Sequence, residues 1–215
     1  MPIKEYGTRT FLEDSLSFPP TSGKGIKFGA FDQGDNARFG WRDITGSIDV
    51  RGTGSTDPDW TQLGSGPFSA YKFAINDQCW LCYHIPHDIL PSSDIFLHAH
   101  WTTSGTQTAA VKWTFKWMYA LGFDQGTFDV NGTAISVSEA ASGTAWRHMV
   151  TESAAITIPT LTEPDGLLYV NVQRVSNAAS PLVENTNNVF LLTADVHYQT
   201  TNVATKQRAP NFYAE

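Results

Sequence analysis

The sequence of 215 residues is poor in charge, and its basic residues form no cluster. Aspartate, glutamate, lysine and arginine make up 16% of it, against roughly 25% in an average globular domain. The formal net charge is −7, and the 14 lysines and arginines are scattered along the chain. Binding to nucleic acid or to a membrane is therefore not expected, because both need a concentrated basic surface. Low charge favours buried subunit interfaces, which hide surface that would otherwise need charge.

Long apolar runs are missing, and cysteine is scarce. No stretch approaches 18 consecutive apolar residues, so no transmembrane helix is predicted. The opening residues MPIKEYGTRTF contain no apolar signal-peptide core, so synthesis in the cytosol is expected. Cys79 and Cys82 form a single C-x-x-C pair, with no second pair to complete a zinc site. In a strand this offset puts the thiols on opposite faces, which predicts two unbridged, buried thiols.

Turn-forming residues divide the chain into three parts. Residues 1–66 are rich in Gly, Pro, Ser and Asp, with short strand-like pieces at 26–31 and 43–50. Such a segment can bury little core of its own, so we expect an extended N-terminal arm. Residues 67–200 are expected to form the folded body. Residues 201–215 are expected to be a polar tail.

The body shows the period-two alternation of β-strands. In VKWTFKWMYAL, apolar residues from Val111 to Tyr119 occupy every second position. Asn131-Gly132 is a strong hairpin signal. The strand candidates are about 69–76, 78–85, 94–102, 110–121, 127–130, 133–138, 145–151, 154–158, 166–175 and 189–200. No convincing amphipathic helix of about ten residues is found, so we predict an all-β protein, an antiparallel jelly-roll sandwich with an N-terminal arm.

The stretch IFLHAHW at 95–101 contains the most specific candidate for chemistry. In a strand, His98 and His100 share a face with Phe96. An H-x-H pair, with His197 as a third ligand, would suit a cupin-like metalloenzyme. No glutamate follows the pair as that pattern requires, so the favoured interpretation is a polar face at an interface. No metal or other cofactor is predicted, and the metal site stays the alternative.

Other catalytic patterns are weak. The sequence contains no G-x-S-x-G, no H-E-x-x-H and no Gly-rich loop between a strand and a helix. Glycosidase carboxylates need no local spacing, so they stay open as a minor alternative. Seven tryptophans suggest either sugar stacking or burial, and for Trp41 and Trp60 in the arm we favour contact with a partner. No enzyme is predicted.

Several stretches resemble a family of tailed-phage and prophage structural proteins. They are FGWRDITGSI, RGTGSTDPDW, GPFSAYKF, YHIPHDILPSSDIFLHAHW, EPDGLLYVNVQRV and ADVHYQTTNVATKQRAPNFY, in order from about residue 40 to 213. The resemblance implies a jelly-roll cement or decoration protein on the capsid surface of the virion, usually a homotrimer. Its partner would be the major capsid protein or another virion protein. The alternative is a tail-fibre or receptor-binding module that recognises host surface glycan.

Two sets of interface residues follow from position and pattern within this resemblance. The shell-facing set is Phe28, Phe31, Trp41, Arg42, Asp43 and Trp60. The set expected in the trimer interior is Phe96, His98, His100 and His197.

Overall fold

The structure, a computed structural model, describes residues 40–50, 56–177 and 184–201. These ranges form ten strands: β1 (Gly40–Thr45), β2 (Asp59–Gln62), β3 (Ser69–Phe73), β4 (Gln78–His84), β5 (Ile95–Thr103), β6 (Ala110–Ala120), β7 (Thr133–Ala140), β8 (Met149–Glu152), β9 (Leu167–Val175) and β10 (Val189–Thr200). Within them, no helix is long and apolar enough to span a membrane.

The strands build two antiparallel sheets. Sheet A has the order β2-β3-β10-β5-β8, with β1 also paired to β10. Sheet B has the order β4-β9-β6-β7. From β3 to β10, every connection crosses between the sheets except the β6–β7 hairpin. This arrangement of eight strands is the jelly-roll topology, and it confirms the predicted fold class.

The core lies between the sheets and follows the predicted alternation. On β5, Leu97, Ala99 and Trp101 are buried against the core, whereas His98 and His100 point to the opposite face. On β6 of sheet B, Trp113 and Phe115 are fully buried. The indole N–H of Trp101 donates to Oγ1 of Thr151 at 2.8 Å, so its one polar group is satisfied inside the core.

The segment after β1 closes one side of the sandwich. Asp49 pairs with Trp80 on β4 through two backbone hydrogen bonds of 2.8 and 2.9 Å. The chain thus passes from sheet A to the edge of sheet B. Gly46 permits this path, because a Cβ at that position would lie 2.7 Å from Cε1 of the buried Tyr83 ring.

Some local expectations need correction. Residues 127–130 form no strand, because Asn131 and Gly132 close a local turn on Asp129 instead of a two-stranded pairing. In the stretch 154–158, only Ile156 makes a β-bridge. Of the strand expected at 145–151, only the part from Met149 onward is a strand, as the start of β8. The piece at 26–31 lies outside the described residues, as does the tail after Thr201.

The two cysteines are free and lie on opposite faces of β4. Cys79 is buried, as expected. Cys82 is exposed, so the expectation of two buried thiols is wrong for this residue. The outer face of sheet B is open to solvent here, whereas the inner face is covered by sheet A.

Candidate functional site

The outer surface of sheet A carries most of the histidines and several carboxylates. We call this surface the histidine face, and its members are Trp41, Asp43, Phe96, His98, His100, His148, Val150, Glu152, Asp195 and His197. They come from β1, β5, β8 and β10, together with the residue just before β8. Residues that are far apart in sequence therefore meet on one sheet.

Strand register places these side chains in rows. His98 on β5 lies opposite Asp195 on β10 and opposite Glu152 on β8. Residues directly opposite in antiparallel strands project to the same face, with Cβ atoms about 5 Å apart. In the next row, His197 on β10 lies opposite Phe96 on β5 and Asp43 on β1. Pairing alone thus brings two histidines against carboxylates.

A chain of polar contacts crosses the face from β8 through β5 to β10 and back. Nε2 of His98 lies 2.8 Å from Oε2 of Glu152, and its Nδ1 lies 3.0 Å from Oδ1 of Asp195. Oδ2 of Asp195 lies 2.7 Å from Nε2 of His100. Nδ1 of His100 lies 2.9 Å from Nε2 of His148. Each ring nitrogen of His98 and of His100 therefore lies within 3.0 Å of a polar atom of another side chain.

The electrostatics of the centre follow from these contacts. Burial alone would raise the pKa of Asp195, but its contacts with His100 and His98 lower that pKa to about 2. Burial alone would lower the pKa of His98, but its contacts with Asp195 and Glu152 raise it above the usual value. Asp195 therefore carries a nearly buried negative charge at the centre of the face.

Aromatic rings continue the face on either side of the carboxylates. Trp41 packs edge-on against Phe96 at 5.6 Å and against His197 at 5.0 Å between ring centroids. His197 in turn lies 5.1 Å from His98. At the other end, the rings of His100 and His148 stack at 5.1 Å. Aromatic pairs at such distances hold each other in place, so the face is an ordered surface.

Two overlapping triplets on the face have ligand atoms close enough for one metal ion. One is His98, His100 and Asp195, and the other is Asp43, His98 and His197. In each triplet the candidate atoms lie within 4.8 Å of one another. The histidines point away from the core between the sheets, so the site differs from the inward H-x-H pair of a cupin-like enzyme.

The structure divides the predicted shell-facing set. Phe28 and Phe31 lie outside the described residues. Trp41 and Asp43 join the histidine face, beside the residues expected in the trimer interior. Arg42 projects to the opposite side of β1 and pairs with Asp88.

Trp60 lies apart from the histidine face. It is on β2, where it is 64% exposed and packs edge-on against Tyr71. All four residues of the trimer set, Phe96, His98, His100 and His197, share the histidine face. The structure thus brings the second set together, with two members of the first.

Asp195, Glu152, His148 and Val150 are the members of the histidine face that neither predicted set contained. Asp195 could be placed beside His197 from the alternation of β10. Its contact with His98 depends on the β5–β10 register, for which the sequence contains no local signal. Glu152 and His148 depend in the same way on the β5–β8 register.

A second surface feature lies on the outer side of sheet B. It is a groove of about 300 Å³ lined by nine residues. Among them Trp80 and Tyr169 supply rings, and Lys116, Asn171 and Gln78 supply polar groups. Rings beside amide and ammonium groups are a combination that could hold a small polar ligand.

Comparison with known proteins finds distant likenesses of structure. No protein-family model matches the chain, and no curated protein matches it. Among solved structures, the xylan-binding module CBM15 is 11% identical, with a TM-score of 0.38, and the match covers 74% of this chain and 97% of that one. A chain in the structure of the infectious bursal disease virus Gx strain is 14% identical, with a TM-score of 0.35, covering 77% of this chain and 33% of that one.

A third solved structure is CBM28, a carbohydrate-binding module specific for non-crystalline cellulose. It is 7% identical, with a TM-score of 0.31, and the match covers 72% of this chain and 84% of that one. Likenesses this distant carry no information about ligands or partners.

Proposed function

We propose that this chain is a non-enzymatic structural protein of a tailed-phage or prophage virion. In this proposal it is a cement or decoration protein that binds across capsomers of the head as a homotrimer. The observation that carries the proposal is the histidine face, an ordered surface with exposed aromatic and apolar groups around a polar centre. The sequence resemblance supplies the virion context.

The composition of the histidine face suits an interface between proteins. Trp41 is 49% exposed and Val150 is 42% exposed, although both lie on the sheet and not in loops. Apolar groups left in water cost free energy, and tryptophan is enriched among the residues that dominate binding. The charged groups at the centre, Asp195 and His98, are already paired within the chain. Burying this face would therefore leave few charges without a partner.

A trimer closed by this face would also explain the low charge content of the chain. Three copies around one axis repeat each small contact, so modest contacts add up to a stable assembly. A trimer attached to a shell has three attachment points, which raises its avidity without any new kind of contact. A protein that binds only the assembled shell stabilises that shell by mass action.

A pair of matched valine substitutions tests the role of the face. Val150→Glu places a charge on the histidine face, and Val130→Glu places the same charge in the β6–β7 loop, where the valine is 81% exposed. We expect light scattering to show that Val150→Glu lowers the mass of the assembly, while Val130→Glu leaves it unchanged. Equal masses for both variants would contradict the assignment of the interface. Circular dichroism controls for folding.

The virion context needs a separate experiment. Particles of the phage or induced prophage that encodes the chain can be purified and separated into heads and tails. Peptide mass spectrometry and antibody labelling should then find the chain on the heads. Detection on tails alone would contradict the cement role and favour the receptor-binding alternative. Absence from purified particles would contradict a structural role in the virion.

A second candidate function is recognition of a host surface glycan, and the groove on sheet B favours it. Sugar rings stack on aromatic side chains such as Trp80 and Tyr169, while Asn171 could hydrogen-bond sugar hydroxyls. A glycan array would test it with the wild-type chain and a Trp80→Ala variant. Binding that Trp80→Ala abolishes supports this function. No binding to any glycan counts against it.

A further inference from the structure

The centre of the histidine face contains a buried acceptor without a hydrogen bond. Oδ1 of Asp195 is inaccessible to solvent and has no hydrogen-bond partner. It lies 3.0 Å from Nδ1 of His98, within ion-pair distance but without hydrogen-bond alignment. A buried carboxylate oxygen normally accepts a hydrogen bond or binds a cation. A cation bound beside Oδ1 of Asp195 would satisfy this oxygen.

We propose that His98, His100 and Asp195 form a binding site for a zinc ion. The ligands would be Nδ1 of His98, Nε2 of His100 and the carboxylate of Asp195. All three ligands belong to one chain, so the site needs no second copy, but it lies on the face that the proposed trimer would bury.

The distances between the donor atoms suit a common ion. Nδ1 of His98 lies 3.0 Å from Oδ1 of Asp195, and Nε2 of His100 lies 2.7 Å from Oδ2. Zinc binds imidazole nitrogen and carboxylate oxygen at about 2.0–2.2 Å, so neighbouring donors in a tetrahedral site lie about 3.3 Å apart. Small side-chain rotations would convert the present contacts into three metal bonds.

The second nitrogen of each imidazole already has the partner that a metal ligand needs. A ligating histidine usually donates its other ring N–H to a carboxylate or another acceptor, which fixes its tautomer and orientation. Nε2 of His98 faces Glu152 at 2.8 Å. Nδ1 of His100 faces Nε2 of His148 at 2.9 Å. Glu152 and His148 are therefore positioning residues for the two ligands.

The contacts of His98 also show what zinc would replace. With a proton on each ring nitrogen, His98 pairs with Glu152 and Asp195 at the same time, which accounts for these contacts in the metal-free protein. Zinc would take the place of the proton on Nδ1, because a ligating nitrogen binds the metal through the same lone pair.

The donor set selects the class of metal. Two imidazoles with one carboxylate suit zinc and similar divalent transition metals, whereas calcium and magnesium prefer oxygen donors alone. With neutral imidazoles, Asp195 and Glu152 give the centre two negative charges, which a divalent ion neutralises. The side chains of Asp195, His98 and His100 are 6%, 10% and 20% exposed. The three ligands are thus largely shielded from solvent, and a bound zinc would complete its tetrahedral coordination with a water molecule.

Titration of zinc into the metal-stripped full-length protein tests the site. Isothermal calorimetry and elemental analysis after gel filtration should find one zinc per chain. His98→Ala, His100→Ala and Asp195→Asn should each remove it. His84→Ala is the matched control, because this exposed histidine on β4 contacts the carboxylate of Asp165 at 3.1 Å, outside the proposed site. Loss of zinc in His84→Ala, or retention in all three ligand variants, would overturn the proposal.

Two further variants sharpen the result. Glu152→Ala should weaken zinc binding about tenfold, at the low end of the effect of such partners, because Glu152 is half-exposed. His197→Ala should retain one zinc, which separates the proposed triplet from the overlapping one. Loss of zinc in His197→Ala overturns the assignment. A shift of the visible absorption of bound Co²⁺ in the wild-type protein, absent in His98→Ala, gives a readout that does not depend on folding yield.

The same samples separate this inference from the proposed function. Light scattering of the metal-stripped and zinc-loaded protein measures assembly independently of metal content. A trimer that binds no zinc overturns the metal site alone. A monomer that binds one zinc supports the metal site and counts against the trimer.

Discussion

Replacing Asp88 by alanine removes the acceptor that three side chains share at the edge of sheet A. The hydroxyl of Tyr198 donates to Oδ1 of Asp88 at 2.9 Å, and the hydroxyl of Thr200 donates to Oδ2 at 2.9 Å. The guanidinium of Arg42 on β1 pairs with Oδ2 as well. Asp88 therefore ties β1 to the end of β10, and β1 in turn contributes Trp41 to the histidine face.

The expected loss of stability can be worked out from burial. Tyr198 is buried, so its hydroxyl would be left unsatisfied, which costs about 1–3 kcal/mol, and Thr200 would lose one hydrogen bond, which costs about 1 kcal/mol. The side chain of Arg42 is 52% exposed, so solvent screens its ion pair and the pair contributes at most about 1 kcal/mol. We therefore expect Asp88→Ala to lower the free energy of unfolding by roughly 4 kcal/mol.

Urea unfolding followed by tryptophan fluorescence measures this loss. Arg42→Ala is the control and should cost about 1 kcal/mol. Adding Tyr198→Phe to Asp88→Ala should cost little more, because the hydroxyl it removes has already lost its partner. A loss below about 1 kcal/mol for Asp88→Ala would refute the reasoning. An equal cost of Tyr198→Phe in both backgrounds would refute it too.

Two other predictions concern the core and the cysteines. Gly46→Ala forces a methyl group against the buried ring of Tyr83, so we expect a loss of about 1–3 kcal/mol in urea unfolding, and no loss would contradict the close approach. Cys82 should react with a thiol reagent in the native protein, because it is exposed. Cys79 should react only after unfolding, since burial shields it and raises the pKa of its thiol. Equal reaction rates for the two thiols would contradict the assignment of faces on β4.

Much of the fold was predictable because β5 and β6 alternate regularly, and their apolar positions lie where period two places them. In β10 a register shift between Leu191 and Thr193 interrupts the alternation, so Leu191 is buried in the core whereas Leu192 is 38% exposed. Short strands were harder to predict from the sequence. β2, with the sequence DWTQ, has one apolar residue and takes its conformation from pairing with β3. Residues 127–130 have suitable residue types for a strand but no partner strand among the described residues.

The candidate site was predictable only in part. Alternation placed His98, His100 and Phe96 on one face. His98 and Asp195 lie directly opposite each other on neighbouring strands, although they are far apart in the sequence. Their contact depends on strand order and register, which arise from the packing of the complete sandwich. Local sequence therefore identified His98, His100 and His197, but not His148 or the Asp195 carboxylate that lies between His98 and His100.

The solution mass of the purified protein tests the central claim most directly, namely that the histidine face joins copies of this chain. Light scattering coupled to gel filtration gives this mass independently of shape. The account predicts a mass three times the 23.7 kDa of the chain. A mass of 23.7 kDa across the accessible concentration range would contradict it.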